Sequence, residues 1–371
     1  MKKSTKTILW AIGIVVVVIV VASIRGADNN AGNIKIGFIG SLTGDASSLG
    51  QASKSAVEIA VDEVNKSGGI NGRSIQVIYE DGKCLATSAL SAGQKLVNFD
   101  KVIAIIGGLC SSETSSFIKI ASDAKIPVIS YCSSAPSLSQ SGPYFFRTYP
   151  SDSYQGKFAA EYAYNTLQVR SVAVLYHLSD WGTGIKDVFV KRFTELGGKV
   201  VGVEGTLQEV RDYKTQLTKI KSANPDYIYM AMYAEGSLVA VQQIQDLGIK
   251  TKLLGTDSWN DSKFVSGVNK NADILYAGST GNSNEVFQSK FIAFTGEKQV
   301  PICAPQAYDA VTALVLAIKQ VGTDANKLPQ AIRSQNFQGV TGQVSFDGNG
   351  DITSVGYVVK RIKDGQIIQI Q

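Results

Sequence analysis

Apolar residues in this chain fall into two alternating rhythms from residue 34 onward. Short β-branched runs at Ile34–Ile39, Ile75–Glu80, Val102–Ile106 and Val128–Tyr131 read as buried strands. Between them, Gln51–Val64 carries Ala56, Ile59, Ala60 and Val64 at helical spacing, and Thr87–Asn98 and Thr114–Ala124 keep the same period. Ser67-Gly-Gly-Ile-Asn-Gly-Arg73 breaks the first helix. Strand–helix–strand succession with right-handed crossovers requires a parallel sheet with helices on both faces.

The rhythm pauses across Tyr144–Tyr154, where Pro143 and Pro150 accompany polar turns, and then restarts. Ser171–Tyr176, Val200–Gly205, Tyr227–Met232, Lys252–Leu254 and Leu275–Gly278 predict strands. Gly184–Leu196, Tyr213–Ser222 and Gly236–Leu247 predict helices, followed by Glu285–Phe294 and Pro305–Val321. Gln343–Phe346, Tyr357–Ile362 and Gln366–Ile370 look like hairpin strands. The expected fold class is α/β: two doubly wound parallel-sheet lobes joined by a multi-strand hinge. Lobe one takes residues 34–151 plus 280–345, and lobe two takes 152–279 plus 346–371. Such a pair binds ligands in the cleft between facing strand ends.

Two strand ends read alike. Val102–Ile106 runs into Gly107-Gly-Leu-Cys-Ser-Ser112, and Pro127–Tyr131 into Cys132-Ser-Ser-Ala-Pro136. Loops at the carboxyl ends of parallel strands hold small ligands. Serine hydroxyls and free N–H groups at a helix start suit a carboxylate. Taken singly, Ser111, Ser112 and Ser134 would be plain N-caps; on successive strands they open into one cleft. Asp257, in Gly255-Thr-Asp-Ser-Trp259, follows a second-lobe strand and would hold an ammonium, which needs a charge partner once desolvated. Trp181, Tyr233 and Trp259 stand at predicted loop positions and would cover the ligand.

Chemistry beyond binding finds no support. His177 is the one histidine, with no serine elbow or cysteine nucleophile beside it. No phosphate loop or zinc-type cysteine spacing occurs, and Gly37-Phe-Ile-Gly40-Ser-Leu-Thr-Gly44 lacks dinucleotide spacing. Asp347-Gly-Asn-Gly-Asp351 opens like a calcium loop. Ile352 and Val358 then stand where a glycine and a glutamate are needed, which leaves an Asn-Gly turn. No cofactor, no metal and no enzymatic activity are expected.

Composition agrees with a folded two-core protein: 371 residues, 44% hydrophobic and 18% charged. The net charge of +5 misleads, because Lys2, Lys3, Lys6 and Arg25 sit in an N-terminal segment without acids; the rest carries 32 bases against 31 acids. A nucleic-acid partner wants a concentrated basic face, so none is expected. Residues 1–26 read as a signal peptide or N-terminal membrane anchor, since Ile8–Ile24 is uncharged and strongly apolar and follows basic residues. Either way the body is exported to the periplasm or cell surface. Export permits disulfides, and the four cysteines leave three pairings open, with Cys132 as a buried free thiol also possible.

From Asn33 to Ile370 the chain resembles the leucine/isoleucine/valine-binding proteins, the branched-chain amino-acid group of type I periplasmic binding proteins. The resemblance rests on Ile36-Gly-Phe-Ile-Gly-Ser-Leu-Thr-Gly44, Asn65-Lys-Ser-Gly-Gly-Ile-Asn-Gly72, Ile106-Gly-Gly-Leu-Cys-Ser-Ser112 and Ser133-Ser-Ala-Pro136. Phe146-Arg-Thr148, Tyr308-Asp-Ala310 and Val344-Ser-Phe-Asp-Gly-Asn-Gly350 extend it. It implies that Ser111 and Ser134 meet an α-carboxylate. The Cys132 carbonyl, the Tyr233 phenol and Asp257 would meet the α-ammonium, with Trp181 as lid. It also implies a Cys84–Cys110 disulfide, stabilising by about 3–4 kcal/mol on the loop-entropy account. Leu49 stands where relatives often carry an aromatic, and Cys132 stands where they have a small residue and would narrow the pocket. The implied function is capture of an amino acid, branched-chain or related, by a monomer that delivers it to an ABC permease. A membrane-anchored sensor for an amino acid or an amide such as urea is the other reading.

Overall fold

The computed structural model describes residues 32–269, 273–280, 283–354 and 356–370. The predicted N-terminal export element lies outside the described residues. Among those described, no helix is long and apolar enough to cross a membrane.

The first lobe opens with β1 (Ile34–Gly40), α1 (Ser47–Lys66), β2 (Ile75–Asp81), α2 (Ala86–Lys95), β3 (Ile105–Ile106), α3 (Ser111–Asp123), β4 (Val128–Ser130) and β5 (Phe145–Arg147). Its sheet is parallel throughout, in the order β2-β1-β3-β4-β5. Neighbouring residues on these strands point to opposite faces, and both faces are buried. Phe38, Ile106, Ile129 and Phe146 pack into one core, while Ile39, Ile105, Val128 and Phe145 pack into another.

The second lobe comprises α4 (Asp152–Glu161), β6 (Ser171–His177), α5 (Asp180–Glu195), β7 (Lys199–Thr206), α6 (Lys214–Ala223), β8 (Tyr227–Ala231), α7 (Ala234–Asp246), β9 (Lys252–Gly255), α8 (Ser262–Gly267) and β10 (Asp273–Ser279). The chain then returns to the first lobe through α9 (Glu285–Thr295), α10 (Ala304–Val321), α11 (Leu328–Arg333) and a ribbon of β11 (Asn336–Gly339) and β12 (Gly342–Ser345). Helix α10 packs along α1, whose buried face of Ala52, Ala56 and Ala60 lets the two approach closely. The hairpin β13 (Tyr357–Lys363) and β14 (Gln366–Gln369) finally adds antiparallel strands to the second sheet, ordered β14-β13-β10-β9-β8-β6-β7. Both lobes are therefore doubly wound, as expected, and the second sheet is mixed at one edge.

Several local expectations need correction. The pause at 144–154 hides both β5 and α4; Ser151 caps α4, its Oγ accepting from the Ser153 N–H at 3.3 Å. Polar residues and Gly156 on α4 mask its period. Trp181 is in the first turn of α5, not in a loop. Helix α3 starts at Ser111, so Cys110 is its cap and Ser111 is not. Gly342–Ser345 pairs with β11 as a separate ribbon, and Phe346 bridges to Ile352. Asp347-Gly-Asn-Gly-Asp351 is a turn in which Asp347 Oδ1 accepts from the N–H groups of Asn349 (2.8 Å) and Asp351 (2.9 Å). That turn lies against β5: the buried Arg147 donates to Asp351 Oδ1 at 2.7 Å.

Two disulfides form, Cys84–Cys110 and Cys132–Cys303, so Cys132 is not a free thiol.

Candidate functional site

The carboxyl ends of β3 and β4 carry the first-lobe half of the site. After β3 the backbone must pass close to β1. Gly107 does so at φ +147°, and an added Cβ would sit 2.4 Å from the Ile39 carbonyl oxygen. The chain then enters α3 under the control of Glu113. Its buried carboxylate accepts from the N–H groups of Leu109 (2.8 Å), Cys110 (3.0 Å) and Cys84 (2.9 Å). Burial pushes its pKa up to about 7 against these hydrogen bonds. Glu113 thus holds both halves of the first disulfide and the start of the helix.

Ser111 faces the cleft from the first turn of α3. Its Oγ accepts from the Ala135 N–H at 3.1 Å, which ties the two loops together and leaves its own proton for an acceptor in the cleft. Thr114 and Ser133 share a second tie at 2.8 Å. Ser134 behaves differently: its hydroxyl donates to Asp152 Oδ2 at 2.7 Å, and the Asp152 N–H donates back to the Ser134 carbonyl at 2.8 Å. This double bond pair joins the lobes at the hinge.

Asp257 supplies the second-lobe charge. It begins the short turn after β9, is 6% exposed, and accepts from the Tyr149 phenol at 2.6 Å. Burial raises its pKa, and it raises that of the wholly buried Asp152 further after burial has done most of the work there. Lys360 is a nearby cation whose own pKa is lowered by burial and partly restored by Asp257. Two carboxylates held out of water with limited counter-charge favour a further cation.

Aromatics close the second-lobe side. Trp181 and Tyr233 stack with ring centroids 4.6 Å apart. His177 lies behind, its Nδ1 accepting from the Tyr233 N–H at 3.2 Å, and burial lowers its pKa to about 4, so the ring is neutral and supportive. Trp259 is not at the site; it is buried in the second-lobe core against Phe264.

Leu49, Ser111, Cys132, Ser134, Trp181, Tyr233 and Asp257 all line one cavity of about 40 Å³ between the lobes. That is room for only a few water-sized groups, since one water needs roughly 10–15 Å³ on this measure. Tyr149, Ser258, Leu109 and Ile302 complete the wall. The lobes also touch at the mouth, through Arg211–Asp45 (2.6 Å) and Ser48–Asp261 (3.2 Å). Sequence reasoning missed Tyr149, Asp152 and Glu113. Glu113 closes a capping box on Cys110, but cysteine lies outside the Ser/Thr signature that marks such boxes in sequence.

A family model described as periplasmic binding protein matches residues 33–366. The leucine-, isoleucine-, valine-, threonine- and alanine-binding protein of Pseudomonas aeruginosa is 27% identical over 335 residues, covering 89% of this chain and 90% of that protein. The solved leucine-binding protein of Thermotoga maritima superposes with a TM-score of 0.83 at 28% identity, covering 91% of this chain and 98% of that one. A branched-chain amino-acid transporter substrate-binding protein of Streptococcus pneumoniae, solved with isoleucine, gives 0.80 at 26% identity, covering 91% and 100%.

Proposed function

The chain belongs to the periplasmic binding protein family, and from that premise we propose that it captures a single amino-acid zwitterion between its lobes and delivers it to an ABC-type importer. The observation that carries this reading is one cavity that joins a first-lobe helix N-terminus to a buried second-lobe carboxylate. The family is one of binding proteins, and no catalytic step is needed.

In this reading the α-carboxylate sits at the start of α3, taking the Ser111 hydroxyl and backbone N–H groups with favourable dipole. The α-ammonium meets Asp257, the Tyr233 phenol and the Cys132 carbonyl. Ser134 belongs on the ammonium side as well. Its proton is committed to Asp152, so its oxygen can accept but not donate. The side chain lies against Leu49, Leu109 and Ile302, and Trp181 covers it. Exclusion of water strengthens both charge contacts.

By their names, the Pseudomonas relative binds leucine, isoleucine, valine, threonine and alanine and the Thermotoga protein leucine, while the Streptococcus protein, solved with isoleucine, is a transporter component, which favours delivery over sensing. The partner is then a membrane permease, and the working unit a monomer. The export element is residues 1–26, cleaved or kept as a tether. Lobe one is taken as 34–151 plus 280–352 and lobe two as 152–279 plus 353–371. The last crossing is set after Ile352 rather than at 345, because Phe346 and Ile352 pack in the first core.

A thermal-shift screen of the purified body over the twenty amino acids tests the assignment, since a bound ligand raises the midpoint by mass action. A shift of several degrees for one or a few aliphatic amino acids is expected. A flat response across the panel would overturn it.

A further inference from the structure

The apolar end of the cavity is stapled covalently, and its outer wall is a partly buried strap. Leu49, Leu109, Cys132 and Ile302 line this end and belong to the first-lobe core or pack on it. Cys132 comes from the loop that also carries Ser134, and its partner Cys303 caps α10. Ile302 is the residue immediately before Cys303, at the end of the strap 296–302 that returns from α9.

That strap is at most partly buried, with Val300 and Ile302 packed on the first-lobe core. No residue from Gly296 to Ile302 is buried; the first fully enclosed one is Cys303, at 0% exposure. Cavities of about 270 and 260 Å³ flank it, lined by Gln299 and Pro301 on both sides. Cys303 also holds φ +70°, a backbone region that a non-glycine residue adopts only when its surroundings enforce it. The disulfide fixes the Cys303 side chain to a different element 171 residues away.

We propose that the Cys132–Cys303 bridge is the specificity-determining wall of the ligand cavity: by pinning the strap, it holds Ile302 against the apolar end and caps the size of ligand side chain admitted. The inference rests on the amino-acid reading above and extends it to side-chain selection. Without the bridge, the strap has open space on both flanks into which Ile302 retreats, and the apolar end lengthens. At the charged end Ser111 and Asp257 stay fixed by α3 and by the turn after β9, while the Cys132 carbonyl and Ser134 share the bridged loop, so a loss of grip common to every zwitterion accompanies the change in contrast. The bridge therefore acts on the contrast between small and large ligands in addition to the grip for any zwitterion.

The test is isothermal titration of the wild type and of the Cys132→Ala/Cys303→Ala double variant with L-alanine, L-valine, L-leucine and L-phenylalanine. Wild type is expected to bind a short aliphatic ligand at least a hundredfold more tightly than L-phenylalanine. In the double variant that ratio should shrink at least tenfold. Equal weakening of all four ligands, with the ratio preserved, would overturn the proposal while leaving the amino-acid assignment standing. Binding of none of them by wild type would overturn both. Should the double variant fail to fold, Ile302→Ala with the bridge intact shortens the same wall. It should lower the ratio in the same direction, and an unchanged ratio there would equally defeat the proposal.

Discussion

Tyr149 donates its phenol to Asp257 Oδ2 at 2.6 Å, joining the first crossing between the lobes to the acid at the heart of the cleft. That bond orients the Asp257 carboxylate, which the Gln155 side chain and the Ser258 N–H also stabilise, on the wall of the cavity. A tyrosine in this place positions the charge without neutralising it.

Asp257→Asn should remove the charge and keep the shape. The expected loss is about 2–4 kcal/mol of ligand affinity, counting one charge-assisted hydrogen bond and its desolvated Coulomb partner. Thermal melts of the ligand-free variant should be level with wild type or higher, because burying a carboxylate costs stability. Titration calorimetry showing unchanged affinity would contradict the assignment.

The pH dependence has a definite sign. Ammonium capture needs ionised Asp257, and burial raises its pKa in the free protein. Affinity is therefore full well above that raised value and is lost as pH falls through it. The decline should begin above the ordinary aspartate value of about 3.9. Calorimetry from pH 7.5 downward would show this; constant affinity down to pH 4 would count against it.

Much of this arrangement is legible in sequence, and the reasons are local. Alternating β-branched runs such as Ile34–Ile39 are buried on both faces, so their pattern is dense and unambiguous. Ser111, Ser134 and Asp257 each follow a strand, and strand ends in parallel sheets converge by topology alone. Tyr149 and Asp152 escaped because β5 and α4 are short and their sequence reads as turn. Trp259 was misread because a position after a strand does not reveal whether a ring turns inward, as it does here onto Phe264. The Ser134–Asp152 bond depends on how the lobes meet, which no local pattern encodes.

Removing the first-lobe bridge by Cys84→Ala/Cys110→Ala should destabilise the protein by about 3–4 kcal/mol, from the 26-residue separation and the loop-entropy relation. Urea unfolding followed by circular dichroism measures it. Loss of under 1 kcal/mol would mean that Glu113, through its three N–H partners, carries the loop by itself.

The Arg211–Asp45 pair links the lobes at the mouth and is partly exposed. Arg211→Ala should favour the open form and weaken ligand binding by roughly twofold to fivefold, the scale of a pair worth about 1 kcal/mol. Small-angle scattering of the ligand-free variant should show a larger radius of gyration than wild type. An identical radius and affinity would remove the pair from any role in closure.

The whole account turns on a ligand held at both ends, one end by each lobe. Calorimetry with L-valine, 3-methylbutanoate and 2-methylpropylamine separates the ends, since the last two lack the amine and the acid respectively. The account predicts that L-valine binds at least a hundredfold more tightly than either. Comparable binding of L-valine and one of the single-ended compounds would contradict it.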